Sequence, residues 1–137
     1  MRRRESKQLK SSARNWLGHR PWTYFITTTL EKRYWNSDLK KLIASTFREL
    51  KIVEYFWSKE HTKKDIPHVH AIAISPYDRL TIQKGLRRLG NTQIERFEED
   101  RRSYEYLVKD LNNKSNQYGG KIMLGGVLVF FDIIFFV

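Results

Sequence analysis

The sequence contains no cysteine among its 137 residues. That excludes any disulfide partner and any thiolate metal site, so a metal here would have to be held by histidine, carboxylate and water. Acidic charge is scarce too: 15 Asp and Glu stand against 26 Lys and Arg, a net charge of +11. Such a balance points to a polyanionic partner, most often nucleic acid. Only three prolines occur, and no low-complexity linker divides the chain, which reads as one domain. No apolar run approaches the about 20 residues of a membrane-spanning helix. The nearest, residues 127–137, is interrupted by Asp132. The charged start Met1-Arg2-Arg3-Arg4 has no apolar stretch behind it, so a secretory signal is not expected. The lack of cysteine fits a reducing compartment, and an intracellular location in the host cytoplasm or nucleoid is expected. A Gly-Lys-Ser/Thr phosphate loop is missing, so no nucleotide-driven motor is expected either.

What is present is unevenly placed. Residues 1–20 carry seven basic groups and one acid, a basic arm in which Arg2, Arg3, Arg4, Lys7, Lys10 and Arg14 are candidate phosphate contacts. Residues 21–131 form the expected folded domain, and residues 132–137 an apolar tail for which membrane contact is a minor option. Aromatic residues make up 14% of the chain and supply bulk for a core.

The order of elements follows from periodicity. Trp22 to Leu30 is aromatic and β-branched, a strand. Asn36-Ser37-Asp38 offers helix caps, and Leu39, Leu42, Ile43, Thr46, Phe47 and Leu50 form one helical stripe. Ile52 to Ser58 is a second strand, residues 59–67 a polar loop, and His68 to Ile74 a third strand. Pro76 and Asp78 open a second helix with Ile82, Leu86 and Leu89 inward and Gly90 as its stop. Thr92 to Phe97 is a fourth strand. Glu98, Glu99 and Asp100 suit the first turn of a third helix, ended by Asn112-Asn113. A last strand starts near Lys121. This order predicts an α+β fold: an antiparallel sheet of ferredoxin-like or RNA-recognition-type βαββαβ topology, helices mainly on one face, and an extra C-terminal helix and strand. Tyr24, Tyr55 and Trp57 are candidate base-stacking aromatics.

The chemistry centres on Pro67-His68-Val69-His70. Residues two apart in a strand share a face, and the two histidine Cα atoms lie roughly 6.6 Å apart. Both imidazoles can then reach one ion. Glu60, at the far end of the preceding strand, is the best third ligand; His61 and Glu54 are poorer by position. Imidazole, carboxylate and open water positions suit Mn2+ or Mg2+.

In the third helix, Tyr104, Leu107, Val108 and Leu111 fall on one stripe, which makes Tyr104 a core residue. Tyr106 lies about 200° away from Tyr104, with Lys109 one turn further on the same polar side. A phosphodiester repels nucleophiles, and a divalent ion offsets that charge. A phenol with a pKa near 10 needs electrostatic help, which Lys109 can give. The product would be a phosphotyrosine that conserves the bond energy for rejoining.

These residues resemble the HUH endonucleases, among them the replication initiators (Rep) of rolling-circle plasmids and small single-stranded DNA viruses. His68-Val69-His70 resembles their His-hydrophobe-His motif, Tyr106-Leu107-Val108-Lys109 their Tyr-x-x-Lys motif, and Phe25-Ile26-Thr27-Thr28-Thr29-Leu30 their first-strand motif. The three motifs cover roughly residues 22–112. The resemblance implies a nickase acting on single-stranded DNA at a replication origin. Tyr106 would stay on the 5′ phosphate and release a 3′ hydroxyl for a polymerase. His68, His70 and Glu60 would hold the metal and Lys109 would assist. Helicase and polymerase would be host or separate proteins. Arg102 joins the arm residues as a candidate DNA contact. Two alternatives remain: a single-tyrosine HUH transposase of an insertion sequence, and a non-catalytic RNA-recognition-type nucleic-acid-binding domain.

Overall fold

A computed structural model describes Leu17 and residues 20–61, 64–98, 118–124 and 127–130. The arm positions Arg2, Arg3, Arg4, Lys7, Lys10 and Arg14, the expected third helix with Arg102, Tyr104, Tyr106 and Lys109, and the tail 132–137 lie outside the described residues.

The alternation of β-branched and aromatic residues produces strands β1 (Tyr24–Leu30), β2 (Glu54–His61), β3 (Pro67–Ile74), β4 (Gly90–Arg96), β5 (Tyr118–Leu124) and β6 (Val127–Phe130). The two amphipathic stretches produce α1 (Leu39–Glu49) and α2 (Arg79–Leu86). The strands form one six-stranded sheet in the order β4-β1-β3-β2-β5-β6, every neighbouring pair antiparallel. Its first four strands have the 4-1-3-2 order of a split βαββαβ unit, and both helices cover the same face. The α+β architecture expected from the sequence is the one found.

Helix α1 starts at Asp38, whose carboxylate accepts the N–H groups of Lys40 and Lys41. It ends in a left-handed Lys51 (φ 56°), with Ile52 N–H donating to Phe47 C=O and Lys51 N–H to Arg48 C=O. This is a Schellman stop built without glycine. The stripe Leu39, Ile43 and Phe47 is fully buried against Ile26, Tyr55, Trp57 and Ala71 of the sheet. Phe47 meets Tyr55 edge-on at 4.5 Å between centroids, worth about 1 kcal/mol beyond the area it buries. Helix α2 is capped by Asp78, which accepts Thr81 N–H. It stops at Leu86, four residues before the expected Gly90. Gly90 instead opens β4 with φ 152°, because a Cβ there would lie 1.8 Å from Thr29 C=O. Only glycine lets β4 approach the end of β1 so closely.

The opposite face carries a smaller core of Leu17, Trp22, Phe56, Ile72 and Ile122. The inner end of the arm is tied down there. Trp22 Nε1 donates to Leu17 C=O, and Arg20 pairs with Glu54 at 2.6 Å and donates to Met123 C=O. These contacts cover one end of that face and leave the end near Glu60 and His68 to the site.

Three boundaries and one assignment differ from the sequence reading. Strand β2 runs three residues further than expected, to His61, because its ladder with β3 continues through Glu60↔His68 and His61↔Pro67. The fourth and last strands start two and three residues earlier than expected, at Gly90 and Tyr118. Tyr55 and Trp57 are not stacking platforms. Their register places them under α1, 3% and 2% exposed, and Tyr24 shares that face with its hydroxyl donated to Tyr77 C=O. Among the described residues no helix is long and apolar enough to cross a membrane.

Candidate active site

The register of β1, β3 and β2 sets the site. Thr27 is opposite His70 and Thr29 opposite His68; on the other side of β3, Ser58 is opposite His70 and Glu60 opposite His68. Directly opposed residues share a face, so these six side chains lie on the side of the sheet away from the helices.

His70 is the fixed element. It is 6% exposed, and its ring stacks on Phe25 at 5.8 Å and 26°. Thr27 Oγ1 is 3.2 Å from Nδ1, and Glu60 Oε2 is 2.5 Å from Nε2. Glu60 thus reaches diagonally past its register partner, a distance that long side chains span on one sheet face. A polar group on each nitrogen restricts the ring to one orientation. The carboxylate sits in a largely desolvated pair, its side chain 15% exposed, where electrostatic interactions are stronger than in water. His68, half-buried, presents its ring edge-on to His70 at 6.3 Å between centroids.

The rival carboxylate is otherwise engaged. Glu54 lies at the start of β2, holding Arg20 and accepting Met123 N–H. His61 pairs with Pro67 at a register position of the other parity.

Among the described residues no three His, Asp or Glu side chains already converge on a point where an ion would sit. The donors nevertheless fit one with small movements. Ligand bonds of about 2.1 Å place two imidazole centroids about 5 Å apart and neighbouring ligand atoms about 3 Å apart. Starting from 6.3 Å and 2.5 Å, the His68 ring must swing inward by about an ångström and the His70–Glu60 contact must open by about half of one. His68, the less buried of the two rings, is the one that has to move. The Thr27 hydroxyl on Nδ1 is the kind of outer contact that orients a metal-binding imidazole.

A family model described as a replication-associated protein of the ORF2 type matches residues 21–115. The chain belongs to this family. The matched span holds β1 to β4, both helices and the whole Thr27–His70–Glu60 arrangement, so a Rep-type protein of DNA replication is the context in which that face must be understood. No curated protein and no solved structure matches the chain.

Of the residues singled out in the sequence, the structure brings His68, His70 and Glu60 together; Tyr106 and Lys109 lie outside the described residues. Sequence reasoning missed three neighbours. Phe25 and Thr27 alternate along β1 onto the site face, a period-two signal that was readable but silent on what they touch. Tyr118, half-buried, is opposite Ser58 and stands in the same cross-strand row as His70. It is a second phenol on the site face, visible only once β5 is paired with β2.

Proposed function

We propose that this Rep-type protein is an HUH endonuclease that nicks and rejoins single-stranded DNA at a replication origin and so initiates rolling-circle replication. One observation carries the reading: His70, buried and held on both nitrogens, shares an otherwise polar sheet face with His68 and Glu60 inside the span matched by a replication-associated family.

His68, His70 and Glu60 would hold Mn2+ or Mg2+, which when bound would offset the negative charge of the scissile phosphate. The chain's own part is nucleophilic. Tyr106 Oη attacks phosphorus, the bond from phosphorus to the 3′ oxygen breaks, and a tyrosyl 5′-phosphodiester forms. The phenolic proton passes to solvent or a base, and the departing 3′ oxygen takes up a proton to become the hydroxyl a polymerase extends. The Lys109 ammonium, one turn from Tyr106, steadies the phenolate. Rejoining is the reverse attack by a 3′ hydroxyl. Helicase and polymerase would be separate proteins.

The replication-associated family favours an initiator over an insertion-sequence transposase. The burial of Tyr55 and Trp57 removes two stacking platforms from the binding-module alternative. The test is a strand-transfer assay with a labelled single-stranded origin oligonucleotide and manganese. Nicking, followed by joining to an added 3′-hydroxyl acceptor, is expected. Binding with no cleavage in any divalent ion would refute the proposal.

A further inference from the structure

On the helix-covered side of the sheet, away from the histidines, a groove of about 390 Å³ opens between α1 and β5. One wall is the flank of α1 beside its apolar stripe, where Lys40, Lys41 and Arg48 project around the small residues Ala44 and Ser45. The other wall is Gly120 and Lys121 of β5. Four cations therefore line one concavity and no carboxylate does.

Solvated lysines on a helix flank are common, and charge alone would decide nothing. The floor adds an independent observation. It is formed by Tyr55 and Trp57, and Trp57 is 2% exposed. Buried indole N–H groups nearly always donate to something, as Trp22 and Trp35 do here to Leu17 C=O and Leu30 C=O. Trp57 Nε1 has no acceptor among the described residues. A Cβ on Gly119 would sit 2.9 Å from this nitrogen, so a glycine there keeps a side chain off the N–H. An orphan donor beneath four cations is a site that wants an anionic oxygen.

We propose that this groove binds the phosphodiester backbone of DNA, as a second contact surface separate from the histidine site. This rests on the reading of DNA as the protein's substrate, but not on the nicking chemistry. The two surfaces lie on opposite faces of the sheet, so a DNA that touches both must pass round it. Oligonucleotides long enough to do so should bind through the groove. Those that only cover the cleavage site should be indifferent to it.

The test uses the full chain, with fluorescence anisotropy of a long single-stranded origin DNA across a salt series. The K41Q/R48Q variant alters only the helix flank, and Lys84→Gln on α2 is the control. Loss of two phosphate contacts should flatten the slope of log affinity against log salt by about 1.4, at about 0.7 per phosphate on single strands. Lys84→Gln should leave the slope alone. In parallel, the Trp57 indole N–H resonance should move when the long DNA is added. An unchanged slope, or an indole resonance that stays still, overturns the proposal. So does an indole that responds to inorganic phosphate and not to DNA, which would make the groove a small-anion site. If the wild-type chain binds DNA with the groove signature yet never nicks it, the groove stands and the endonuclease reading fails.

Discussion

Thr27→Val tests whether the outer contact on His70 matters for chemistry or only for folding. Valine has nearly the shape of threonine, so the substitution removes one hydroxyl and little packing. The lost contact is the 3.2 Å approach of Oγ1 to Nδ1 of a ring that is 6% exposed. A net hydrogen bond is worth about 1 kcal/mol, and the unpaired buried nitrogen raises the cost to about 1–2 kcal/mol. For a domain of this size that lowers Tm by about 3–8 °C. Freed of one anchor, the ring can rotate about its stacking contact with Phe25, and loss of such outer-shell partners typically weakens metal affinity or activity about 10–100-fold. The assay is paired: thermal unfolding of the apo chain, and nicking rate against manganese concentration. The expected result is a modest Tm loss with a manganese curve shifted at least about tenfold. A Tm loss with an unshifted curve would show that the Thr27 contact is structural only. No change in either would mean that the hydroxyl does not hold the ring.

Other outcomes follow from the same geometry. His68→Ala and His70→Ala should both abolish metal-dependent nicking and spare DNA binding. Only His70→Ala should also cost about 2–3 kcal/mol in denaturant unfolding, because it empties a buried stack and leaves Glu60 unpaired; equal stability losses would contradict the burial difference. Gly90→Ala should destabilise by at least about 2 kcal/mol, since it combines a left-handed backbone with a collision on Thr29 C=O; a neutral result would refute that close approach. Asp78 has its pKa held below the ordinary carboxylate value by its hydrogen bonds from Thr81. A depressed carboxylate contributes above its unfolded pKa and loses that contribution as pH falls through the folded value, so the start of α2 should fray at acid pH. Amide exchange at Thr81 reads this, and Asp78→Asn should remove the pH dependence.

How much was legible beforehand depended on how local each feature was. The stripe of α1 and the alternation of β3 are local, and they placed the core helix and both histidines correctly. The 4-1-3-2 order came from the sequence of element types, which a single-layer packing of two helices restricts to few topologies. Errors arose where a tertiary contact overrode a local sign. Gly90 read as a helix stop because glycine ends helices, whereas its real constraint is the backbone of β1. Tyr55 and Trp57 read as exposed aromatics because a strand pattern does not say which face a helix will cover. Tyr118 was invisible because its place beside Ser58 depends on a strand pairing more than fifty residues apart. The Lys41 and Arg48 flank was discounted for a similar reason: a solvated helix face and one wall of a groove have the same spacing.

The measurement closest to the central claim is the fate of DNA on a denaturing gel. The full chain is incubated with single-stranded origin DNA, with manganese and with chelator, and any protein–DNA species is digested and mapped by mass. The account predicts an adduct formed only with metal, carried on the peptide containing Tyr106, lost in Tyr106→Phe and His70→Ala, and retained in Tyr104→Phe and Tyr118→Phe. An adduct on Tyr118 would move the nucleophile to the sheet. An adduct indifferent to metal and to His70, or none at all on DNA that is bound, would contradict the account.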